Sequence, residues 1–173
     1  MGVSLFMGTG FANTHPPIRK GDCMETWKSA EEILDFAISE EEKAAEFYTE
    51  LAMKAGHRHM RDVFLQFAEE EKAHRAKLQE AKRGKKFKPA GKDVIDLKIA
   101  DYTADVSTEN IENFQDALVV AMKKEKAACR LYTSLARIAD TPHAKELFLA
   151  LAREEAKHKL RFETEYDDTL REN

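Results

Sequence analysis

The sequence is poor in residues that interrupt or cross-link a chain, since its 173 residues include only 7 glycines, 4 prolines and 2 cysteines. Cys23 and Cys129 are too widely separated for paired Cys-x-x-Cys metal knuckles, and two cysteines do not make a disulfide framework. We therefore expect a reducing, cytoplasmic setting. Charged residues make up 35% of the chain and hydrophobic residues 43%, a balance typical of one helix-rich domain.

An excess of positive charge and long apolar runs are also missing. The formal net charge of -4 at pH 7 gives no general attraction to nucleic acid or to anionic membranes. No stretch is apolar over the length that a bilayer-spanning helix needs. The opening segment 1–10 lacks an early positive charge, so we do not expect a signal peptide. Neither nucleic acid nor a membrane is an expected partner.

Apolar periodicity divides the chain into an N-terminal extension at 1–28, a helical domain at 29–166 and a C-terminal tail at 167–173. Ser29, with Glu32 three residues later, forms the capping box that opens the first helix. The predicted helices end with a fourth that opens at Thr141 and Pro142. Between the second and third helices the periodicity is lost, which predicts a long crossover. The predicted helices span about 29–55, 59–82, 107–139 and 141–166.

An internal repeat indicates how these helices are arranged. Shifting the segment 41–78 forward by 84 residues places it on 125–162 without a gap, and 14 of the 38 positions are identical. Each half is one helical hairpin, which cannot bury its apolar stripe alone. The repeat therefore predicts an all-α, antiparallel four-helix bundle made of two repeated hairpins joined by the crossover.

Each predicted helix carries one glutamate within its apolar stripe. Residues three or four apart share a helix face, so an acid flanked at this spacing by apolar residues points with them into the core. Unpaired buried carboxylates are costly, and four of them in one core need counter-charge, which metal cations supply. The candidate metal ligands are Glu41, Glu71, His74, Glu125, Glu155 and His158.

The Glu-x-x-His spacing, found at 71–74 and again at 155–158, supports this hypothesis. Three residues rise about 4.5 Å along a helix and keep both side chains on one face, within reach of one ion. Two copies of the motif predict two ions. Oxygen-rich ligation with only two imidazoles suits iron or manganese better than a structural zinc site. We expect two iron ions, with manganese or zinc as substitutes.

Over about 29–166 these motifs resemble those of the ferritin-like di-iron carboxylate proteins, and within them the rubrerythrin-like branch. The resemblance implies a ferritin-like bundle in which Glu41 and Glu125 are terminal ligands of the di-iron centre. It implies that Glu71 and Glu155 bridge the ions and that each histidine binds one of them. It also implies that Tyr48 and Tyr132, each seven residues after a terminal glutamate, hydrogen-bond nearby carboxylates.

The chain departs from rubrerythrins in two respects. It lacks the four cysteines of a rubredoxin-like module, so an external electron donor such as a rubredoxin-like protein would be needed. It also lacks the additional helix-three glutamate, because the residues one turn either side of Glu125 are not acidic. They are Ala121, Met122, Ala128 and Cys129.

The resemblance implies a di-iron oxidoreductase that reduces hydrogen peroxide or dioxygen, with a role in oxidative stress. Two alternatives stay open. The first is a ferroxidase or iron-handling protein of the ferritin type, and the second is a non-catalytic metal-binding bundle. Small bundles of this kind often pair through helix faces, so we expect a homodimer.

Overall fold

The computed structural model describes residues 29–87, 111 and 113–171. Four long α-helices make up most of this part of the chain. The sequence pattern predicted four helices in this order, and the predicted all-α, four-helix fold class is confirmed. In chain order the helices are α1 (Ala30–Lys54), α2 (Arg58–Arg83), α3 (Phe114–Ile138) and α4 (Pro142–Arg171).

Polar side chains cap the starts of three helices. The Ser29 side chain accepts a hydrogen bond from the backbone N–H of Glu32, as expected for the first half of a capping box. Thr141 accepts from the backbone N–H of Ala144 at 3.2 Å and donates to the carbonyl of Lys86 at 3.0 Å. Thr141 therefore caps α4 and ties its start to the segment that follows α2. Asn113 caps α3.

Two predicted helix boundaries are wrong. The third helix does not run from near Ser107, which lies outside the described residues, because Ile111 and Asn113 are described and are not helical. Asn113 has extended backbone angles, and its side chain accepts from the Asp116 N–H at 2.9 Å, which starts α3 at Phe114. The fourth helix continues past Tyr166 to Arg171, since no glycine or proline interrupts it. The division into extension, bundle and tail stays a prediction.

The packing partners of the helices define the topology. The amino-terminal halves of α1 and α4 and the carboxyl-terminal halves of α2 and α3 share one hydrophobic cluster, and the opposite halves share another. Each hairpin is therefore antiparallel, whereas α2 and α3 run in the same direction. The end of α2 and the start of α3 therefore lie at opposite ends of the bundle. Most of the predicted crossover itself lies outside the described residues.

The two hydrophobic clusters lie at opposite ends of the bundle. In the first, the Phe148 ring packs edge-on against Phe87, with centroids 5.2 Å apart. In the second, Tyr48 and Phe67 pack against Phe162, with the Phe67 and Phe162 centroids only 4.0 Å apart. Aromatic contacts of this kind add to the stability gained from burying their area. The layer between the clusters holds the polar residues. None of the four described helices is apolar enough over its length to cross a bilayer.

The capping role of Asn113 can be tested by substitution. Asn113→Ala removes the acceptor for the Asp116 N–H and should lower the free energy of unfolding by about 1 kcal/mol. Urea unfolding followed by circular dichroism, at matched metal content, measures the change. Asn113→Asp keeps an acceptor and serves as the control. Equal stability of the alanine variant and the wild type would contradict the assignment.

Candidate metal centre

The four helices bring the six candidate ligands into one buried layer between the hydrophobic clusters. The four glutamates are only 1–3% exposed, and His74 and His158 are 2% and 6% exposed. Each acid lies where helical spacing predicts it. For example, Glu41 follows the buried Ala37 by four residues and precedes the buried Tyr48 by seven. The structure thus collects the whole predicted set, while the role of these residues as ligands stays a prediction.

The six side chains form two overlapping groups. Within each group every residue offers a ligand atom that lies within 4.8 Å of the others. One group contains Glu41 and His74, the other contains Glu125 and His158, and both include Glu71 and Glu155. Two ions held by these groups would therefore share two carboxylates. These are the two glutamates that the resemblance implies as bridging ligands.

Several atoms of this layer lie close together without satisfying one another. His158 Nδ1 is 3.2 Å from a Glu71 oxygen and 3.4 Å from a Glu125 oxygen, yet no hydrogen bond of acceptable geometry reaches it. One carboxylate oxygen each of Glu71, Glu125 and Glu155 is likewise buried without a partner among the described residues. Such atoms cost free energy unless something pairs with them. Cations among them would pair with all four, so the donor set fits metal ions.

The environment shifts the pKa values of the buried acids in opposite directions. Burial raises the pKa of Glu41 and of Glu125 well above the usual range. Burial also acts to raise the pKa of Glu71, but the imidazoles of His158 and His74 outweigh it and lower that pKa to about 2. Glu71 is therefore ionised more readily than Glu41 or Glu125, which suits a carboxylate placed in both groups.

The imidazoles hold protons in the metal-free cluster. Burial acts to lower the pKa of His74, but its close contacts with Glu155, Glu41 and Glu71 outweigh burial and raise the pKa to about 12. His74 Nδ1 lies 2.8 Å from a Glu155 oxygen, the shortest of these contacts. The pKa of His158 is raised in the same way. Without cations, the cluster therefore balances part of its negative charge with imidazolium.

Two tyrosines connect the hairpins across this layer. The Tyr48 hydroxyl on α1 donates to Glu125 on α3, and the Tyr132 hydroxyl on α3 donates to Glu41 on α1. All four groups are buried, so each bond is shielded from water. Burial and the nearby Glu125 carboxylate raise the pKa of Tyr48 well above its usual value. Its hydroxyl therefore keeps its proton and stays a donor, which orients the carboxylate that accepts it.

The sequence pattern did not reveal two further glutamates that contact the imidazoles from outside. His74 Nε2 on α2 lies 2.7 Å from Glu154 on α4, and His158 Nε2 on α4 lies 2.6 Å from Glu70 on α2. A carboxylate that accepts from one ring nitrogen leaves the other nitrogen free to face a metal. The repeat contained a signal for this pair, because Glu70 and Glu154 match at the same offset of 84 residues.

Comparison with known proteins bears directly on this geometry. The family model described as Rubrerythrin matches residues 32–111 and 116–172, most of the chain. The chain belongs to the rubrerythrin family. The match includes all six candidate ligands, both tyrosines and the two outer glutamates. Family membership establishes a ferritin-like di-iron protein at the level of the family.

Two solved structures resemble this rubrerythrin-family chain. A hypothetical protein from Pyrococcus furiosus is 29% identical, with a TM-score of 0.64, over 82% of this chain and 90% of that one. A protein from Thermotoga maritima, provisionally described as a ferritin-like diiron-carboxylate protein, is 19% identical, with a TM-score of 0.68, over 82% and 96% of the two chains. The second likeness shows the fold. No curated protein matches the chain.

Metal binding to this rubrerythrin-family site should release protons. The His74 imidazole is protonated at pH 7 in the metal-free protein because its pKa is raised to about 12, and it must lose that proton to become a ligand. Apparent affinity should therefore rise as the pH rises toward this pKa. Calorimetric titration with Co²⁺ in buffers of different ionisation enthalpy counts the released protons.

The histidines also supply the control for this titration. His59 is exposed and lies outside both groups, so His59→Ala should leave the number of released protons unchanged. His74→Ala should reduce it. Binding without proton release at pH 7 would contradict the assignment of His74 as a protonated ligand.

The outer glutamates should affect affinity without touching the metal ions. Glu154→Ala and Glu70→Ala each remove the acceptor from an imidazole Nε2, which should weaken metal binding about tenfold. Competition with a coloured chelator gives the affinity. Glu69→Ala is the matched control, because Glu69 is exposed on the same helix as Glu70 and pairs with Lys72 at 2.7 Å. Affinities equal to that of the control would remove the positioning role.

Proposed function

We propose that this rubrerythrin-family protein is a di-iron oxidoreductase that reduces hydrogen peroxide or dioxygen with electrons from an external donor. One observation carries the proposal: two buried groups of oxygen and nitrogen ligands share two carboxylates. In this proposal Glu41 and His74 would hold one iron ion and Glu125 and His158 the other, with Glu71 and Glu155 available to both. Iron ions bound in this way supply the two electrons that one molecule of peroxide requires.

The chain's own residues keep the ligands in place. Tyr48 and Tyr132 each hold a terminal carboxylate of the opposite hairpin. The proposed ligands therefore depend on the docking of the two hairpins, and a shift of one would move a carboxylate of the other. Geometry held by such hydrogen bonds costs little reorganisation during a reaction.

Water is excluded from the two ends of the site by the hydrophobic clusters. Phe67 packs with its ring centroid 5.0 Å from that of His158, and Phe162 stacks directly behind it. On the other side, Tyr132 stacks with Phe148 at a centroid distance of 6.4 Å. Exclusion of bulk water strengthens the electrostatic interactions at the centre and limits side reactions. A substrate therefore has to approach from the side of the bundle.

The proposal includes partners and a setting. No rubredoxin-like set of four cysteines is present in the sequence, so a separate rubredoxin-like protein is the proposed donor. The cytoplasm, a role in oxidative stress and a homodimer belong to the same proposal.

The ferroxidase alternative uses the same ligands and differs in the fate of the iron. In that function, ferrous ion is a substrate that must enter, be oxidised and move on to storage or transfer. A large hollow assembly in light scattering would favour storage, whereas a dimer would argue against it. The non-catalytic alternative predicts no reaction with either oxidant.

The choice of oxidant tests the proposed peroxide reaction. Anaerobically reduced, iron-loaded protein should be oxidised far faster by hydrogen peroxide than by air, and stopped-flow absorption gives both rates. Iron content is measured on the same sample. Glu71→Ala and Glu155→Ala remove carboxylates found in both groups and should lower that content. Equal rates, or a faster reaction with air, would contradict peroxide reduction, and unchanged iron content in both variants would remove the site itself.

A further inference from the structure

The centre has two chemically different sides. The histidines face the groove between α2 and α4, where Glu70 and Glu154 cover their outer nitrogens. The carboxylates face the opposite way. All four, Glu41, Glu71, Glu125 and Glu155, line a cavity between α1 and α3 that neither histidine reaches. On the histidine side the outer nitrogens are covered by Glu70 and Glu154, so an external ligand of the metal ions would meet the carboxylate side.

This cavity has a volume of about 40 Å³. One water molecule needs at least roughly 10–15 Å³ by this measure, so the space suits a molecule of two or three heavy atoms. Ala44 on α1 and Ala128 on α3 form part of its wall. Their small side chains keep the cavity open, and Ala128 is one of the four non-acidic residues that lie one turn either side of Glu125. A larger organic substrate does not fit.

A single lysine, Lys124, lies in the cavity wall. Lys124 is half-buried, and its Nζ lies 5.1 Å from the centroid of the Phe47 ring on the facing helix. It forms no ion pair with any of the described residues. The nearby acid Glu40, which also lines the cavity, is instead paired with Lys43 at 2.7 Å. The rim formed by Glu40, Lys43 and Lys124 therefore carries a net positive charge.

Lys124 also breaks the symmetry of the repeat. At the offset of 84 residues its counterpart is Glu40, so the two halves carry opposite charges at equivalent positions. The neighbouring pair Glu41 and Glu125 is identical. The ligands are thus duplicated, while the rim of the cavity is not. The charge at the cavity wall therefore differs between the two halves, whereas the candidate ligands do not.

We propose that this cavity admits small anions of two or three heavy atoms and that Lys124 is the residue that selects them. The inference rests on the proposed function, because an anion enters a carboxylate-lined space only when metal ions neutralise the carboxylates. Two divalent ions cancel the charge of four carboxylates bound with neutral imidazoles. The ammonium of Lys124 then leaves the opening positive, which attracts a small anion and repels free cations.

Azide, a linear anion of three atoms, is the probe. In ferric protein loaded with iron, Lys124→Gln should raise the dissociation constant for azide about tenfold, measured by visible absorption titration. Lys124→Arg keeps the charge and should retain most of the affinity. Lys123→Gln is the matched control, because Lys123 is exposed on the same helix, one residue away, and does not line the cavity.

Nitric oxide separates a charge effect from damage to the site. It is neutral and of similar size, so its affinity for the ferrous protein should be the same in Lys124→Gln and in the wild type. Equal azide affinities in the Lys124→Gln and Lys123→Gln variants would overturn the inference, as would parallel losses of azide and nitric oxide binding. Iron content is measured in every sample. Wild-type protein that takes up no iron would remove the proposed function and this inference with it, whereas iron-loaded variants with unchanged azide affinity would remove the inference alone.

Discussion

The burial of four carboxylates in the middle of a hydrophobic core is the constraint on which the rest of the structure depends. Each of Glu41, Glu71, Glu125 and Glu155 is almost fully buried, and removing a charge from water is far more costly than any one helix contact is favourable. The acids can lie together only if protons or cations neutralise them. In the metal-free protein the raised pKa values of His74 and His158 keep the imidazoles protonated, and the imidazolium groups supply positive charge. Metal ions supply more charge in the same space.

This constraint explains why the core is divided into two. Apolar clusters occupy the ends of the bundle, and the acids occupy the layer between them. The clusters provide the stability that the polar layer does not, chiefly through large buried rings such as Tyr48, Phe67, Phe148 and Phe162. They also hold the helices at the spacing that brings acids of different hairpins together. Tyr48 and Tyr132 contribute both to the apolar clusters and to the polar layer, because each packs in an apolar cluster and donates to a carboxylate of the other hairpin.

The repeat predicted the four-helix fold, the long crossover and the convergence of the six candidate ligands, because identical spacing in two halves restricts which helix faces can meet. It did not predict where α3 begins, since that depends on the local preference of Asn113 for the capping position. It matched Glu70 with Glu154 but did not indicate that they contact the histidines. Both look like members of charged helical surfaces, and their contacts with histidines arise between α2 and α4. A contact between two helices depends on how closely the helices pack. The spacing of residues within one helix carries no information about that distance.

The two halves of the chain are most alike at the ligands and differ at the rim of the cavity. Identical residues at 41 and 125, 71 and 155, and 74 and 158 give each half an equivalent set of donor atoms. If the charged residues at the cavity rim were also repeated, the rim would carry either two acids or two lysines. Two acids would favour cations, and two lysines would add repulsion between like charges beside Phe47. The single lysine opposite a paired glutamate avoids both outcomes. Duplication of a hairpin therefore accounts for the candidate ligands, and in the proposed function the difference between Glu40 and Lys124 is where the two hairpins together acquire a preference for one class of substrate.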